Sequence, residues 1–149
     1  MKLKFLTILV TSLLFLGAGD PESGKDKVAV CAGCHGADGN SLVGIWPSLA
    51  GQNKNYLLKQ LRLVKSGDRV IESMTGLLDN LDDSDLADIA AFYESKTNTV
   101  GTVDESKIDL GRKLYYAGNL EKGVPACSAC HSPRGLGNAP AAYPLLSGQ

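Results

Sequence analysis

Apolar residues recur at helical spacing along most of this chain, and no segment shows the strict apolar–polar alternation of a half-buried strand. One helical stretch begins after Asn53, a residue type favoured at N-caps, and runs through Ser66 to Gly67, a residue typical of the position just beyond a helix. Its predicted buried face repeats at helical spacing and consists of Leu57, Leu58, Leu61 and Val64.

A second helix is predicted to start at Asp82 or Ser84, either of which can cap it, and to run to about Lys96. Asp83 and Asp85 fall in its first turn, where the positive end of the helix dipole favours acidic side chains. Its predicted apolar face consists of Leu86, Ile89, Ala90 and Tyr93.

A third helix is predicted over Ser106–Tyr116, with an apolar face formed by Ile108, Leu110, Leu114 and Tyr115. A short helix from about Glu22 leads into a cysteine pair, and Gly-rich loops are expected at Gly36–Gly44 and Arg134–Pro144. The pattern therefore predicts an all-α protein, with units so small that a cofactor is needed to complete their cores.

Residues 1–19 have the features of a cleaved export signal. Lys2 and Lys4 precede an uncharged stretch, Phe5–Leu16, that is too short to span a bilayer comfortably. Small residues follow, and cleavage after Gly19 fits the small-x-small pattern best. The alternatives are an uncleaved anchor and a buried core segment. No cysteine is placed here for lipid attachment.

Composition indicates a globular protein, because 44% of the 149 residues are apolar, 21% are charged and the net charge is −1. Without a basic excess, we expect no nucleic acid among the partners. The charge is uneven: residues 20–98 carry a net −4 and residues 99–149 a net +1. Such asymmetry can orient a partner on approach, although ordinary surface scatter explains it equally well.

A repeat divides the exported part of the chain. The segment Cys31–His35 reads C-A-G-C-H, and Cys127–His131 reads C-S-A-C-H 96 positions later. Each is followed by a P-x-L-x-G-Q segment, Pro47–Gln52 in the first copy and Pro144–Gln149 in the second. Two homologous units are therefore expected.

The first unit is predicted to span residues 20–98 and the second residues 99–149, joined by a polar, uncharged linker near Thr97–Val103. In this alignment the second unit has no counterpart of residues 53–96. We therefore expect the printed chain to contain only the N-terminal part of the second unit.

The C-x-x-C-H motif is the signature of covalent haem attachment, because two cysteines one helical turn apart can bond the two vinyl groups of one haem while the next histidine faces the iron. The two motifs use every cysteine and histidine of the chain: Cys31, Cys34, His35, Cys127, Cys130 and His131. A four-cysteine zinc site would leave both histidines unexplained, a thioredoxin-like pair lacks its strand–helix context, and a disulfide across three residues would constrain little. Two covalent haem c groups are therefore predicted.

The sixth iron ligand differs between the units. Met74 lies 39 residues after His35, in a predicted loop between two helices, and we expect it to ligate the first iron; the alternative is a core methionine. Methionine–histidine ligation raises the haem potential and leaves no open site, which favours electron transfer. After His131 no methionine follows. Either the second haem is five-coordinate or water-ligated, or the printed sequence ends before the protein does, which we favour.

The sequence closely resembles the cytochrome c4 family, two-domain di-haem members of class I cytochrome c. The resemblance covers nearly all of the exported chain and rests on C-A-G-C-H-G-A-D-G-N-S (Cys31–Ser41), P-S-L-A-G-Q (Pro47–Gln52), Y-L-L-K-Q-L (Tyr56–Leu61), G-D-R (Gly67–Arg69), Met74, L-D-D-S-D-L-A-D-I-A-A-F-Y (Leu81–Tyr93) and E-K-G-V-P-A-C-S-A-C-H (Glu121–His131), with Pro144–Gln149. It implies two tandem cytochrome c domains, the second incomplete, in a soluble or membrane-associated periplasmic electron carrier. The implied partners are a quinol-oxidising complex (a quinol–cytochrome c reductase) or dehydrogenases as donors and terminal oxidases as acceptors.

The resemblance also implies roles for four further residues. Pro47 and Pro144 would each offer a backbone carbonyl to the ring N–H of the iron-ligating histidine. Trp46 and Arg69 would lie in the first haem pocket, near the propionates, although packing or solvation explains them equally well.

A carrier that is not itself a catalyst is the leading interpretation. An electron-accepting subunit of a flavin- or quinoprotein-linked dehydrogenase is the second. Peroxidase chemistry at an open second haem is a third alternative, but no set of distal histidine, arginine and carboxylate residues lies near Cys127–His131, and Arg134 alone is insufficient. A zinc-binding module is the non-redox alternative.

Overall fold

The computed structural model describes residues 19–149, so the predicted signal at residues 1–19 lies, except for Gly19, outside the described residues. Within 19–149 the regular structure consists of six α-helices and four 3₁₀ turns, with two isolated β-bridges and no strand. The helices are α1 (Pro21–Lys25), α2 (Ala29–His35), α3 (Lys54–Ser66), α4 (Asp83–Glu94), α5 (Ile108–Ala117) and α6 (Ser128–His131). The 3₁₀ turns are Glu72–Met74, Glu105–Lys107, Leu120–Lys122 and Ala139–Ala141. The all-α prediction is confirmed.

Helix α4 begins with the capping arrangement that the sequence allows. The Asp82 carboxylate accepts a hydrogen bond from the Asp85 backbone N–H at 2.9 Å, and the Asp85 carboxylate accepts one from the Asp82 N–H at 2.9 Å. Asp82, not Ser84, is therefore the cap. The helix ends at Glu94, two residues before the predicted end.

The core of the first unit surrounds α4, whose predicted apolar residues Leu86, Ile89, Ala90 and Tyr93 are each only 1% exposed. Helix α1 crosses α4 at close range, since a Cβ on Gly24 would lie 2.2 Å from the Asp88 carbonyl oxygen. The glycine therefore allows the two backbones to approach. Beside this crossing, the Lys27 ammonium pairs with Asp85 at 2.7 Å and with Asp88 at 2.6 Å.

Helix α3 ends as predicted, with Gly67 in the left-handed conformation at φ +83°. Of its predicted buried face only Leu57 is fully buried; Leu58 and Leu61 are half-buried against the core. Leu57, Leu61 and Val64 also line a cavity. The prediction of a buried stripe was therefore only partly right, because part of this face is turned to a space that a bound group would fill.

Asn53 occupies the N-cap position of α3, but its side chain makes no capping hydrogen bond. Its amide instead donates to the carbonyl oxygens of Tyr143 at 2.9 Å and Leu136 at 3.4 Å. The residue therefore links the first unit to the second.

Helix α5 follows a 3₁₀ turn, Glu105–Lys107, that the sequence pattern had merged with it. Its predicted apolar face is not buried: Ile108 and Leu110 are exposed, and Leu114 and Tyr115 are half-buried. The repeat aligns α5 with α1, whose inner face is covered by α4 in the first unit. The second unit has no counterpart of α4 in this sequence. Correspondingly, a Cβ on Gly111, unlike one on Gly24, would meet no atom within 4 Å among the described residues.

Among the described helices, none combines the length and the apolar character needed to cross a bilayer.

Candidate haem sites

Helix α2 carries the first cysteine–histidine motif at the edge of a deep cavity. Cys31 lines this cavity, while Cys34, three residues further along the helix, is exposed. His35 is 8% exposed, and its Nδ1 lies 2.8 Å from the Pro47 carbonyl oxygen. If Nδ1 carries the proton, the ring donates it to Pro47, and Nε2 is left free to bind iron on the cavity side.

The cavity brings together four of the predicted residues of the first unit besides Cys31: His35, Pro47, Arg69 and Met74. Met74 lies at the end of the 3₁₀ turn Glu72–Met74, between α3 and α4 as the sequence indicates. Arg69 points its guanidinium at the side chain of Gln60, to which it donates at 2.5 Å.

Trp46 is half-buried, but it is not among the described residues that line the cavity. Its backbone N–H closes a turn on the Val43 carbonyl at 2.9 Å. A direct haem contact for Trp46 therefore stays a prediction, as does the proposed neighbourhood of Arg69 and the propionates.

Most of the remaining lining is apolar, and the sequence analysis did not assign these residues to a site. From the first unit it includes Leu49, Tyr56, Leu57, Leu61, Val64, Ile71, Leu78, Ile89 and Tyr93. The second unit adds Leu145, Leu146 and Gln149, together with Pro144, which was predicted to orient His131. The signal that could have found the second group is the repeated P-x-L-x-G-Q segment, whose first copy holds Pro47.

Burial in this cavity shifts two neighbouring groups. Desolvation raises the pKa of the Cys31 thiol and of the Tyr93 hydroxyl, because each charged form would lie in an apolar environment. Tyr93 is 1% exposed, and among the described residues its Oη has no hydrogen bond of normal geometry. The Cys31 thiol, a weak hydrogen-bond partner, faces this buried hydroxyl, so a polar edge of a group bound in the cavity would stabilise it.

The donor set fits a covalently attached haem. Thiols one helical turn apart suit two thioether links, a buried imidazole with its Nδ1 engaged suits a proximal ligand, and a thioether in the same cavity suits the sixth position. An extended apolar lining suits the macrocycle.

The second motif repeats the local geometry. His131 Nδ1 lies 2.9 Å from the Pro144 carbonyl oxygen, as His35 does from Pro47. The Tyr143 ring stands edge-on to the imidazole, with the two centroids 5.9 Å apart. A hydrogen bond with the Cys130 thiol raises the pKa of Tyr143. Cys127 is half-buried and Cys130 is exposed.

Two tyrosines of α5 hold the loop that follows His131. The Tyr115 hydroxyl donates to the Ser132 carbonyl at 2.5 Å, and the Tyr116 hydroxyl donates to the Pro133 carbonyl at 3.0 Å. Ser132 adopts φ +66°, a conformation that is strained for a residue with a side chain. These bonds help to offset that strain.

Comparison with known proteins gives concordant matches. The family model for the subunit III of cbb3-type cytochrome c oxidase matches residues 22–92. The chain is 50% identical to the cytochrome c4 of Azotobacter vinelandii over 95% of its own length and 75% of that protein. The reduced recombinant cytochrome c4 from Pseudomonas stutzeri superposes with a TM-score of 0.84 at 48% identity, covering 87% of this chain and 73% of that one. A thiosulfate dehydrogenase electron acceptor of Stutzerimonas stutzeri is 35% identical over 86% of this chain and 61% of its own length.

Proposed function

Because this chain belongs to the cytochrome c4 family of di-haem cytochromes c, we propose that it is a periplasmic one-electron carrier that takes electrons from a quinol-oxidising complex or a dehydrogenase and passes them to a terminal oxidase. Its two covalently bound haem c groups supply the one-electron chemistry. We assign them to two units, residues 20–98 and 99–149.

The observation that carries the proposal is that His35 and Met74 line the same cavity beside Cys31. If His35 and Met74 both held the iron, they would leave no open position for substrate or oxygen, which suits electron transfer. Thioether ligation and the apolar lining both favour the reduced state, which raises the potential into the range of a carrier.

In the first unit the residues have distinct roles. Cys31 and Cys34 tether the haem, and the Pro47 carbonyl fixes the plane and tautomer of His35. Met74 would hold the iron from the cavity side and keep water away from it. In the second unit, Cys127 and Cys130 are the tethers, and Pro144 orients His131 in the same way.

Location and partners follow from features outside the cavity. The predicted signal at residues 1–19 directs the chain to the compartment in which c-type haems are attached, and peripheral association with the membrane surface remains part of the proposal. The difference between net −4 on residues 20–98 and net +1 on residues 99–149 gives the protein a dipole that can orient it on a charged partner.

A second candidate function is that of an electron-accepting subunit that stays with one dehydrogenase. The similarity to a thiosulfate dehydrogenase electron acceptor favours it. In this case the protein would co-purify with a catalytic subunit and would be reduced by that enzyme's substrate.

The deciding experiment mixes the purified, haem-loaded protein with membranes that contain a quinol–cytochrome c reductase and, separately, with membranes that contain a terminal oxidase. We expect quinol-dependent reduction in the first mixture and oxygen-dependent oxidation in the second. A protein that neither membrane turns over, but that a co-purified dehydrogenase reduces, would favour the second candidate. Intact mass of the exported protein, expected to begin at Asp20 and to include two haems, tests the export signal and the haem attachment together.

A further inference from the structure

The two P-x-L-x-G-Q segments face each other across the boundary between the units and exchange hydrogen bonds in a reciprocal pattern. The Gln52 amide Nε2 donates to the Leu145 carbonyl at 2.9 Å, and Gln149 Nε2 donates to the Ser48 carbonyl at 2.8 Å. In the repeat, Leu145 and Ser48 occupy the same position, one residue after the proline. The glutamine of each copy therefore reaches the equivalent carbonyl of the other copy.

The contact at Gln52 is the stronger of the two. Gln52 is only 5% exposed, and its Oε1 also accepts a hydrogen bond from the Leu145 backbone N–H at 2.7 Å. The Gln52 amide thus pairs with both the backbone N–H and the backbone carbonyl of Leu145, in the way that a residue of an adjacent β-strand does. A buried amide that is satisfied in this way fixes one orientation, because any shift leaves polar groups without partners.

Glycine geometry explains why the segment ends in Gly-Gln. Gly51 and Gly148 both adopt the left-handed conformation, with φ +68° and +83°, and both lie against Asn98. The Asn98 side chain donates to the Ser147 carbonyl at 2.8 Å. A Cβ on Gly148 would lie 2.4 Å from Asn98 Nδ2, so a side chain there would displace the Asn98 amide and strain a backbone at φ +83°.

The same two segments orient the iron-ligating histidines. Pro47, which precedes Ser48, accepts from His35, and Pro144, which precedes Leu145, accepts from His131. The carbonyl that fixes each imidazole therefore lies one residue from the carbonyl that the opposite unit's glutamine holds. A displacement of one unit would move the histidine acceptor of the other.

We propose that Gln52 and Gln149 are positioning residues that couple the two haem sites, each glutamine fixing the proline segment that orients the histidine of the opposite unit. The orientation of His35 then depends on Gln149 of the second unit, and that of His131 on Gln52 of the first. The inference rests on the proposed function in taking both histidines as iron ligands. The dependence is crossed: a substitution in one unit changes the orientation of the histidine, and so the haem site, of the other unit.

The test uses the full haem-loaded chain with Gln149→Ala, Gln52→Met and a matched control, Asn55→Ala. Asn55 also donates across the boundary, to the Ala139 carbonyl at 2.9 Å, but it does not contact either proline segment. Gln52→Met keeps the length of the side chain and removes its hydrogen bonds. Because Gln149 is exposed, Gln149→Ala carries the test alone if Gln52→Met does not fold.

The first readout is the Nδ1–H resonance of each histidine in the reduced protein labelled with ¹⁵N-histidine, which contains only two histidines. We expect Gln149→Ala to shift the His35 resonance and Gln52→Met to shift that of His131. The second readout is a spectroelectrochemical titration. We expect the equilibrium constant for electron exchange between the two haems to change by about two- to tenfold, a tenfold change being about 59 mV for a one-electron couple. Asn55→Ala should move neither quantity.

Resonances that shift only within the substituted unit, or that shift no more than with Asn55→Ala, would overturn the crossed dependence. Measurements on the wild-type protein distinguish a failure of the crossed dependence from a failure of the proposed function. Fewer than two covalent haems, or no reversible reduction in the wild type, would argue against the carrier itself, whereas two reversible haems without a crossed shift would argue only against the coupling.

Discussion

Gly39 lies directly against the ring of Tyr93, so closely that a Cβ on Gly39 would stand 2.6 Å from Tyr93 Cδ1 and 2.8 Å from the Ala50 backbone nitrogen. The contact joins the loop after the first haem motif to the C-terminal end of α4. Gly39 also has φ +85°, which a side chain disfavours.

Replacing Gly39 with alanine should therefore destabilise the first unit by about 1–3 kcal/mol or more, since strain and overlap add. Chemical denaturation of the haem-loaded protein measures the change. Gly44→Ala is the matched control, because a Cβ at Gly44 would meet no atom within 4 Å among the described residues. Equal stabilities of the two variants would contradict this account of the contact.

Met74→Ala should open the sixth position of the first haem. We expect the variant to bind carbon monoxide in the reduced state, and its potential to fall by more than about 100 mV, well within the range of roughly 0.8 V that axial ligands span. Optical titration with carbon monoxide and redox titration measure both effects. Leu77→Ala serves as the control, since Leu77 is exposed and lies three residues further along. A variant with an unchanged potential would exclude Met74 as a ligand.

Substitution of both cysteines in one motif should remove one haem and leave the other attached. We expect Cys31→Ser with Cys34→Ser to lose the mass of one haem, and Cys127→Ser with Cys130→Ser to lose the same mass. Intact mass spectrometry and haem staining of the denatured chain check this. Retention of both haems in either double variant would contradict the assignment of one haem to each motif.

The ion pairs of Lys27 should make stability depend on pH in a defined direction. Hydrogen bonds with Asp85 and Asp88 raise the pKa of Lys27 above its usual range, and the bond with Lys27 lowers the pKa of Asp85. A raised lysine pKa contributes stability that is full below its unfolded value of about 10.4 and is lost as pH rises through the folded value. A lowered aspartate pKa contributes stability above about 3.9 that is lost as pH falls through the folded value.

Lys27→Met should accordingly lower the melting temperature by a few degrees at neutral pH, with the deficit shrinking below about pH 4 as the carboxylates are protonated in both proteins. Thermal unfolding followed from pH 3 to pH 8 measures this. Lys25→Met is a suitable control, since Lys25 lies on α1 and is exposed. A deficit that stays constant over the whole range would show that the lysine acts through packing of its aliphatic chain and not through its charge.

Sequence reasoning predicted the fold class and the buried face and cap of α4 well because these features depend on short-range patterns. The spacing of Leu86, Ile89, Ala90 and Tyr93 fixes which face of α4 is buried, and the cap at Asp82 follows from side-chain chemistry within one turn. The less accurate predictions concern faces that need a distant partner, namely the stripe of α3 that partly lines the cavity and the face of α5 that stays exposed.

Short-range patterns in the sequence were sufficient to predict that the chain is helical, that it repeats, that each repeat carries a cysteine–histidine motif, and that a proline segment follows each motif. The fold was needed to show that Met74 and His35 share one cavity and that Leu145 and Gln149 of the second unit help to line it. It also shows that the Asn53 side chain bonds across the boundary and does not cap its helix. The difference arises from how far apart along the chain the interacting residues lie. Helical periodicity, capping and covalent attachment act over a few residues, whereas a hydrogen bond such as that between Gln52 and Leu145 joins residues 93 positions apart and exists only once the two units are oriented against each other.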